Sequence, residues 1–393
     1  MDQKAATESQ RAGRWIKQQG SESFVSFLPA PLPPDPPIQY DADLQHLQER
    51  ANWALGQLNG LSMALPEPDL FLYTYVRREA VLSSQIEGTQ SSLSDLLMFE
   101  NKEVPGVPGS DVREVSNYVA SIDYGLNRLK EGLPLSLRLI KEIHAVLLKD
   151  TRGSESAPGE FRRSQNWIGG TRPGNAFYVP PPPHAVLPAM GALEKFLHDD
   201  PVKTPTLIKA GLAHAQFETI HPFLDGNGRL GRLLITFILC VEGALDYPLL
   251  YLSLFFKQHR KEYYELLQRI RTKGDWEGWI KFYLSGVKEV SIQAAQTAKG
   301  LITMFEQHKR QIQKLGRATG SALRVHDLLK KRVILSVAEA STALEISFPA
   351  VDKAMVNLEA LGLVREFTGK LRNRLFCYDP YWKVLSKETE KPA

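Results

Sequence analysis

The chain has 393 residues, of which 43% are hydrophobic and 23% charged, and its net charge is +4. These values exclude a fibrous chain and wholesale disorder, while the mild positive charge is compatible with phosphate ligands without requiring them. Two cysteines are too few for a disulfide framework, and there is neither an apolar leader nor an uninterrupted apolar run of ~18 residues. We therefore expect a cytoplasmic protein of two or three domains with no membrane span.

In chain order, composition and periodicity predict four regions. Residues 1–40 are polar and then proline-rich, which predicts an extended N-terminal arm. Apolar residues at helical spacing then predict an N-terminal helical domain over residues 41–110. A mostly helical core over residues 111–315 follows, interrupted at 150–184 by short β-like runs around glycine that predict a hairpin. Three short helices and two strands over residues 320–385 predict a winged helix-turn-helix domain.

The predicted fold class is mainly α, because most of the chain repeats apolar residues every three or four positions. Predicted helices of the core's second half cover residues 187–197, 205–219, 226–242, 252–272 and 276–314. No repeat of fixed period is present, which sets solenoid architectures aside.

The segment TIHPFLDGNGRLGR, residues 219–232, concentrates residue types that bind phosphate. Gly226 and Gly228 let the backbone turn its N–H groups toward an anion, at the start of a helix whose dipole also favours negative charge. Arg229 and Arg232 follow on the first turns of that helix and can clamp successive phosphates. An anion site is the direct inference.

Two further side chains of this segment indicate chemistry as well as binding. Asp225 offers a carboxylate oxygen suited to Mg²⁺ shared with nucleotide phosphates. His221 has an ordinary pKa near the operating pH and can take a proton from an attacking hydroxyl. Each residue alone is more often a turn former, a loop histidine or part of a solvated helix face, but the combination favours a catalytic site.

HPFLDGNGRLGR, residues 221–232, resembles the signature of the Fic family, HPFxDGNGRxGR, at every fixed position. The resemblance covers roughly residues 142–287. It implies a Fic-type helical bundle with a β-hairpin flap, an N-terminal helical extension and a C-terminal winged helix. It also implies transfer of AMP from ATP to a Tyr, Thr or Ser hydroxyl of proteins, including the chain itself.

The same resemblance assigns roles to individual residues. His221 is the general base, Asp225 the Mg²⁺ ligand, and Asn227 cradles the transferred phosphate together with the loop amides. The flap around residues 167–170 aligns the target by strand addition, and Tyr264 is placed near the adenine, although a helix-face tyrosine is more often packing. The implied nucleotide-binding set is Glu87, Ile168, Gly169, Asp225, Gly226, Asn227, Gly228, Arg229, Leu230, Gly231, Arg232 and Tyr264.

A second family-associated pattern, [ST]xxxE[GN], occurs as Ser83, Glu87 and Gly88 near the end of the second predicted helix. Positions 83 and 87 share a helix face. On an exposed helix such a pair is usually unremarkable surface, but the full signature downstream gives it weight. The resemblance implies that Glu87 pairs with Arg232 and thereby inhibits the enzyme.

Several alternatives stay open at this point. The same scaffold can use another donor, such as UMP or phosphocholine, act as a kinase, or remove AMP from proteins with the help of Glu87. A nucleotide-sensing transcriptional regulator is the rival from another class, although a sensor needs no base at His221. The basic residues of the C-terminal module leave DNA binding and protein docking nearly balanced, with docking slightly favoured: Lys353, Arg365, Lys370, Arg372 and Arg374. A homodimer that masks the active helix is compatible with the sequence.

Overall fold

The computed structural model describes residues 11–19, 22–63, 68–100, 109–366, 368–369, 374–387 and 389. The predicted mainly α fold is confirmed. The helices that form the N-terminal half are α1 (Ala42–Met63), α2 (Pro68–Ile86), α3 (Leu93–Glu100), α4 (Gly109–Lys130), α5 (Leu137–Leu147) and α6 (Pro183–Leu197). The helices that follow are α7 (Thr206–Ile220), α8 (Asn227–Val241), α9 (Ser253–Gln258), α10 (Arg260–Lys273), α11 (Trp276–Ile312), α12 (Thr319–Arg332), α13 (Val337–Leu344), α14 (Phe348–Ala360) and α15 (Asp379–Leu385). The strands are β1 (Gly13–Gln18), β2 (Phe24–Pro29), β3 (Ile334–Ser336), β4 (Val364–Glu366) and β5 (Leu375–Tyr378).

The helices α7 and α8 form the centre of the main body. Every residue of α7 after Thr206 is buried, and α8 is buried along nearly its whole length. α7 packs against α6, α8, α10 and α11, while α8 packs against α2, α4 and α5. The loop between α7 and α8, residues 221–226, is therefore held by rigid elements on both sides, which suits a site that needs fixed geometry.

The N-terminal arm is not the unpacked linker that its composition predicts. β1 and β2 pair antiparallel, with Trp15 opposite Phe27, and Phe27 and Leu32 are buried in the hydrophobic core. Residues 1–10 of the predicted arm lie outside the described part of the chain. The β-branched and aromatic residues of GRWIKQ and FVSFLP are a weak strand signal, which the proline-rich stretch beyond them obscured.

The predicted hairpin within residues 150–184 is present, but it is held by a single antiparallel bridge between Ile168 and Tyr178. We call residues 166–179 the flap. Its return strand ends at Val179, because residues 180–183 are all proline and cannot donate to a ladder.

One predicted helix was wrong: residues 252–272 form two helices, α9 and α10, separated at His259. The backbone of His259 is non-helical, with φ −106° and ψ 34°. Residues 257–262, KQHRKE, are all polar, so the apolar period lapses between Phe256 and Tyr263, and the prediction passed over this gap. Three short elements were also missed: α3, β3 and α15.

The C-terminal module comprises α12 to α15 and a three-stranded antiparallel sheet in the order β3-β5-β4. The three predicted helices and two predicted strands are all found, in an order typical of a winged helix. Arg365 forms an ion pair with Asp379 at 2.9 Å, and Arg374 pairs with Asp352. Lys370 and Arg372 of the predicted wing lie outside the described residues.

The module rests directly on α2. The Thr74 and Tyr381 hydroxyl groups are hydrogen-bonded at 2.9 Å in a buried position, and α2 also packs against α12 and α15. Among the helices in the described part of the chain, none combines the length and the hydropathy that crossing a bilayer requires.

Candidate active site

The end of α7 is fixed by buried polar side chains that bind its last carbonyl groups. Arg162 Nε donates to the His221 carbonyl at 2.9 Å, and the Tyr178 hydroxyl and Arg271 donate to carbonyls of the last turn at 2.6 and 3.2 Å. Cations at a helix C-terminus complement its dipole. His221 follows in the left-handed region, with φ 49° and ψ 60°, which turns the chain sharply out of the helix.

The loop that follows is locked by two asparagine side chains. Asn227 Oδ1 accepts from the Phe223 N–H and its Nδ2 donates to the Phe223 carbonyl, both at 2.9 Å, and Asn166 Nδ2 donates to the same carbonyl at 2.9 Å. The resemblance assigns Asn227 to the phosphate cradle. Its side-chain amide is instead engaged inside the loop, which leaves its backbone N–H as the group able to face an anion.

A buried histidine supports the loop from beneath. His144 stacks on Phe223 with ring centroids 3.7 Å apart, accepts a hydrogen bond from the Gly159 N–H at Nδ1, and contacts the Asp225 carbonyl through Nε2 at 2.9 Å. Because Nδ1 accepts a hydrogen bond, the proton of the neutral ring lies on Nε2. Nε2 therefore donates a hydrogen bond to the Asp225 carbonyl. Burial lowers the pKa of His144 to about 4, so this arrangement persists at neutral pH.

The first turn of α8 begins at the glycines that predicted an anion site, and the Gly226 N–H donates to Asp225 Oδ1 at 2.6 Å. Gly226 is the N-cap, with φ 78°, and within the described residues it receives no side-chain cap. The first N–H groups of a helix have no intrahelical partner and carry the positive end of its dipole. An added Cβ at Gly228 would collide with Glu87 Oε1, so a larger residue there would require the Glu87 carboxylate to move.

His221 lies at the mouth of this anion site, with its side chain 19% exposed. Burial, reinforced by the positive charges of Arg271 and Arg162, lowers its pKa to about 3. The sequence-based expectation of a pKa near operating pH is therefore wrong, because the pattern did not show that His221 is enclosed between two arginines. The ring is neutral at pH 7, and among the described residues its buried Nδ1 has no hydrogen-bond partner.

Arg232 joins α8 to α2. Its Nε donates to Ser83 Oγ at 2.8 Å, and its Nη2 donates to the Ser83 carbonyl at 2.9 Å and to Glu87 Oε1 at 2.8 Å. The arginine side chain is 2% exposed and that of Glu87 37%. Burial opposes the charge of Arg232, but Glu87 and neighbouring groups raise its pKa above the ordinary value. The structure thus brings together Ser83, Glu87 and Arg232, and Gly88 ends the turn behind them with φ 96°.

Arg229 is buried between two carboxylates. It lies 3.5 Å from Glu114 Oε2 and 3.5 Å from Asp225 Oδ1. The Asp225 side chain is 47% exposed, so its carboxylate can reach a ligand. Within the described residues, no group of three or more His, Cys, Asp or Glu side chains is placed to hold a metal ion. A cation at Asp225 would therefore need ligands from a bound nucleotide, as Mg²⁺ commonly does.

Sequence reasoning missed two buried acids beside Arg232. Glu218, three residues before His221, has its Oε2 3.9 Å from His221 Nδ1, and burial raises its pKa to about 7. Glu79 lies one turn before Ser83 on α2, and burial raises its pKa to about 7 as well. Their sequence signal was a carboxylate spaced three or four residues from a site residue on a buried helix.

The remaining predicted residues fall in two groups. Burial raises the pKa of Tyr264 to about 12, and the negative charge of Glu87 raises it as well. This tyrosine is therefore on the side of the site where Glu87 lies. Leu230 is 2% exposed and belongs to the core, and the Gly231 carbonyl is bound by His214 at 2.8 Å. Neither is directed at the anion site. Ile168 and Gly169 lie on the flap, where Ile168 makes the bridge to Tyr178.

Comparison with known proteins places this geometry in context. A model of the Fic/DOC family N-terminal region matches residues 45–127, and a model of the Fic/DOC family matches residues 134–239. Together they span α1 to α8, including Glu87 and the loop. Both matches were expected from the signature and the second pattern.

Relatives and solved structures agree with these matches. A protein adenylyltransferase Fic from Aedes aegypti is 28% identical over 293 residues, covering 69% of this chain and 54% of its own length. One from Drosophila yakuba is 30% identical over 200 residues, covering 50% of this chain and 37% of its own length. The chain thus spans about half, or less, of the curated relatives it matches. A Fic family protein from Desulfovibrio desulfuricans G20, at 19% identity and a TM-score of 0.56, shares the fold over 87% of this chain and 97% of its own.

Proposed function

From the match of residues 45–127 and 134–239 to the Fic/DOC family models, we propose that the chain transfers AMP from ATP to hydroxyl side chains of proteins, its own included, under restraint by Glu87. The observation that carries the proposal is a neutral imidazole, His221, at the mouth of an uncapped helix N-terminus with two buried arginines behind it. The printed names of the relatives support the choice of AMP as the transferred group.

The reaction follows from these parts. The target hydroxyl oxygen attacks the α-phosphorus of ATP, its bond to phosphorus forms as the bond to pyrophosphate breaks, and the hydroxyl proton passes to His221. Backbone N–H groups of the first turn of α8 stabilise charge on the transferred phosphate. Because the pKa of His221 is about 3, the ring is a weak base, and the proton moves late, when the hydroxyl oxygen has already bonded to phosphorus.

The residues present fit Mg²⁺ in the way that the family implies. The half-exposed Asp225 carboxylate would hold the ion together with phosphate oxygens of ATP. When bound, the ion supplies neutralisation of the charge that develops on pyrophosphate. Arg229, held between Asp225 and Glu114, would contact the same phosphates, and its burial preserves its orientation.

The restraint by Glu87 is supported by where its carboxylate lies. It contacts Gly228 on the first turn of α8 and binds Arg232, so a negative charge already occupies the position of an anionic ligand. A phosphate brought to the same place is repelled and finds Arg232 engaged. The carboxylate is more than one-third exposed, so it can move away without breaking the core.

The proposal is tested by incubating the protein with ATP and Mg²⁺, with label on either the α or the γ phosphate. The forms compared are the wild type, Glu87→Gly, and Glu87→Gly with His221→Ala. We expect protein to retain label from the α position only, about tenfold or more above wild type in Glu87→Gly, since Arg232 is released from a buried ion pair. The double variant should lose this label, because general-base catalysis accelerates a reaction by at least about a hundredfold.

Controls separate the alternatives. Glu49→Gly, an exposed helix position far from the site, controls for the general effect of a glycine and should leave transfer unchanged. Retention of γ label would indicate a kinase, and label from UTP or CDP-choline in place of ATP would indicate another donor. Release of AMP from prelabelled protein by the wild type, but not by Glu87→Gly, would assign the reverse reaction to Glu87. No transfer in any variant would favour the nucleotide-sensing regulator.

For the C-terminal module we propose protein docking in preference to DNA binding. Arg365 and Arg374, two of its basic residues, are neutralised by Asp379 and Asp352. Filter binding at 50 and 200 mM salt tests this choice, since true DNA binding falls steeply with salt. Cytoplasmic location and the homodimer stay predictions.

A further inference from the structure

The N-terminal hairpin and the flap lie side by side, and their hydrogen bonds define a strand order. β1 pairs with β2, the Phe27 N–H of β2 donates to the Val179 carbonyl at 2.9 Å, and the strand ending at Val179 bridges to Ile168. Backbone groups alternate in direction along a strand, so Val179 faces β2 while Tyr178 faces Ile168. The inner edge of the flap is therefore already covered by β2.

The opposite edge of the flap is open. Ile168 directs its N–H and carbonyl to Tyr178, so those of the preceding Trp167 point the other way. Within the described residues, no hydrogen bond engages the backbone of Trp167. Trp167 is 39% exposed, and the neighbouring Phe177 is 55% exposed. Of the two edges of the flap, the Trp167 edge is therefore the one that the described part of the chain leaves available for a further strand.

The hairpin is anchored to the catalytic core as well as to the flap. Arg11 forms an ion pair with Glu277 at the start of α11, at 2.7 Å, and the same carboxylate accepts from the Gln39 N–H at 2.8 Å. Gln216 of α7 donates to the Ala30 carbonyl at 2.7 Å. Both ends of the hairpin are thus tied to helices that also hold the active-site loop.

Two contacts connect the anchored hairpin to the flap. Glu22, in the turn between β1 and β2, forms an ion pair with Arg172 at the flap tip, next to Gly174. At the base, the Tyr178 ring lies edge-on to Trp15 at 6.3 Å, and its hydroxyl bonds the carbonyl of Thr219, two residues before His221. The flap is consequently held at its tip by the hairpin and at its base by both the hairpin and α7.

We propose that the N-terminal hairpin is a positioning element for the protein target: it closes the inner edge of the flap, leaves the Trp167 edge as the only one open to a target strand, and fixes that edge relative to His221. The inference rests on the proposed function, because it concerns how the hydroxyl-bearing segment reaches the base. A strand that adds to a sheet gains its affinity from main-chain hydrogen bonds. Such bonds form only if the edge is held in place.

The test reverses charges in a Glu87→Gly background. Glu22→Arg places a like charge against Arg172, and the double variant Glu22→Arg with Arg172→Glu restores an ion pair of opposite polarity. Arg138→Glu, in an exposed ion pair with Glu142 away from the flap, is the matched control. The readouts are hydrogen exchange of the flap amides and transfer of labelled AMP to a His221→Ala copy of the chain, with acceptor and ATP concentrations varied separately.

We expect Glu22→Arg to speed exchange of the Ile168 and Tyr178 amides by about two- to fivefold, as an exposed ion pair allows. KM for the protein acceptor should rise by a similar factor, while KM for ATP and kcat stay unchanged, and the double variant should recover both. Unchanged flap exchange, failure of the double variant to recover, or an equal rise in KM for ATP would overturn the proposal. Hydrogen exchange does not depend on turnover. It therefore tests whether the hairpin holds the flap even if Glu87→Gly transfers no AMP and the proposed function fails.

Discussion

His221 and Glu218 form a pair whose protonation decides how well the site removes a proton. Glu218 Oε2 lies 3.9 Å from His221 Nδ1. The His221 ring, with a pKa of about 3, is already neutral between pH 5 and 8 and does not titrate there. Glu218, with a pKa raised by burial to about 7, does titrate in this range. In the proposed reaction, a charged Glu218 would stabilise the imidazolium that forms during transfer, as the acid of a catalytic pair does.

The pH dependence of AMP transfer should therefore follow Glu218. In the Glu87→Gly variant we expect the rate to rise as pH increases through about 7, because ionised Glu218 strengthens His221 as a base. Adding Glu218→Gln should flatten the profile between pH 5.5 and 8.5. The measurement is kcat over that range for both variants. An inflection near 6.5 that survives Glu218→Gln would show that His221 titrates with its ordinary pKa, against the effect of its burial.

At the scale of elements, the loop between α7 and α8 gains its shape from side chains of the elements around it. Asn227 alone makes two hydrogen bonds to the Phe223 backbone, and it is 2% exposed. These bonds hold the loop in register with the first turn of α8. The spacing between His221 and the anion site depends on this register.

Asn227→Ala should reduce both stability and transfer. Loss of two buried hydrogen bonds that leave backbone groups of Phe223 unsatisfied costs about 2 kcal/mol or more, and a displaced loop lowers transfer by about tenfold or more, since misplacement of a base is costly. Thermal unfolding and labelled-AMP transfer in the Glu87→Gly background measure the two effects. Asn227→Asp, which keeps the acceptor but not the donor, should fall between. If Asn227→Ala lowers the melting temperature but transfers AMP normally, the loop does not set the geometry.

How much of this site could be predicted depended on the range of the interactions. Residue types within the loop are contiguous, so a phosphate site around Gly226 could be predicted from their spacing, whereas the pairing of Arg232 with Glu87 was implied by the family resemblance. The pKa of His221 could not, because Arg162 and Arg271 come from distant elements and only the fold encloses the ring. The N-terminal hairpin was missed because proline-rich composition outweighed two short strands that show no strict alternation. The break at His259 lies in a polar gap, residues 257–262, that the prediction passed over.

At the scale of the whole molecule, α2 lies between the catalytic core and the C-terminal module. Its later turns hold Ser83 and Glu87 against Arg232, while Thr74 bonds Tyr381 of α15. The Gln85 side chain also donates to the Thr389 carbonyl at 3.4 Å, beyond α15. These contacts bind α2 to the module at Thr74 and at Gln85. They therefore also hold in place the last turn of α2 and Glu87, which follows it.

Tyr381→Phe should therefore weaken the restraint without touching the site. Loss of one buried hydrogen bond costs about 1 kcal/mol, and we expect AMP transfer to increase about two- to fivefold when Glu87 is present. In the Glu87→Gly background the same change should have no effect, because no restraint is left to weaken. Transfer rates of the four forms, measured side by side, give the coupling between the two positions. Equal effects in both backgrounds would mean that Tyr381 acts on general stability.

The open edge of the flap is short, and its length limits how long a target stays bound. Gly169 and Gly170, with φ 67° and 70°, turn the chain away directly after Ile168, so a partner strand finds only a few backbone groups around Trp167. At about 1 kcal/mol for each hydrogen bond, such pairing corresponds to a dissociation constant of roughly millimolar or weaker. Under the proposed function, a modified target would leave quickly, and backbone pairing would read little of its sequence. Which proteins are modified would then be decided by local abundance and by contacts made elsewhere on the chain.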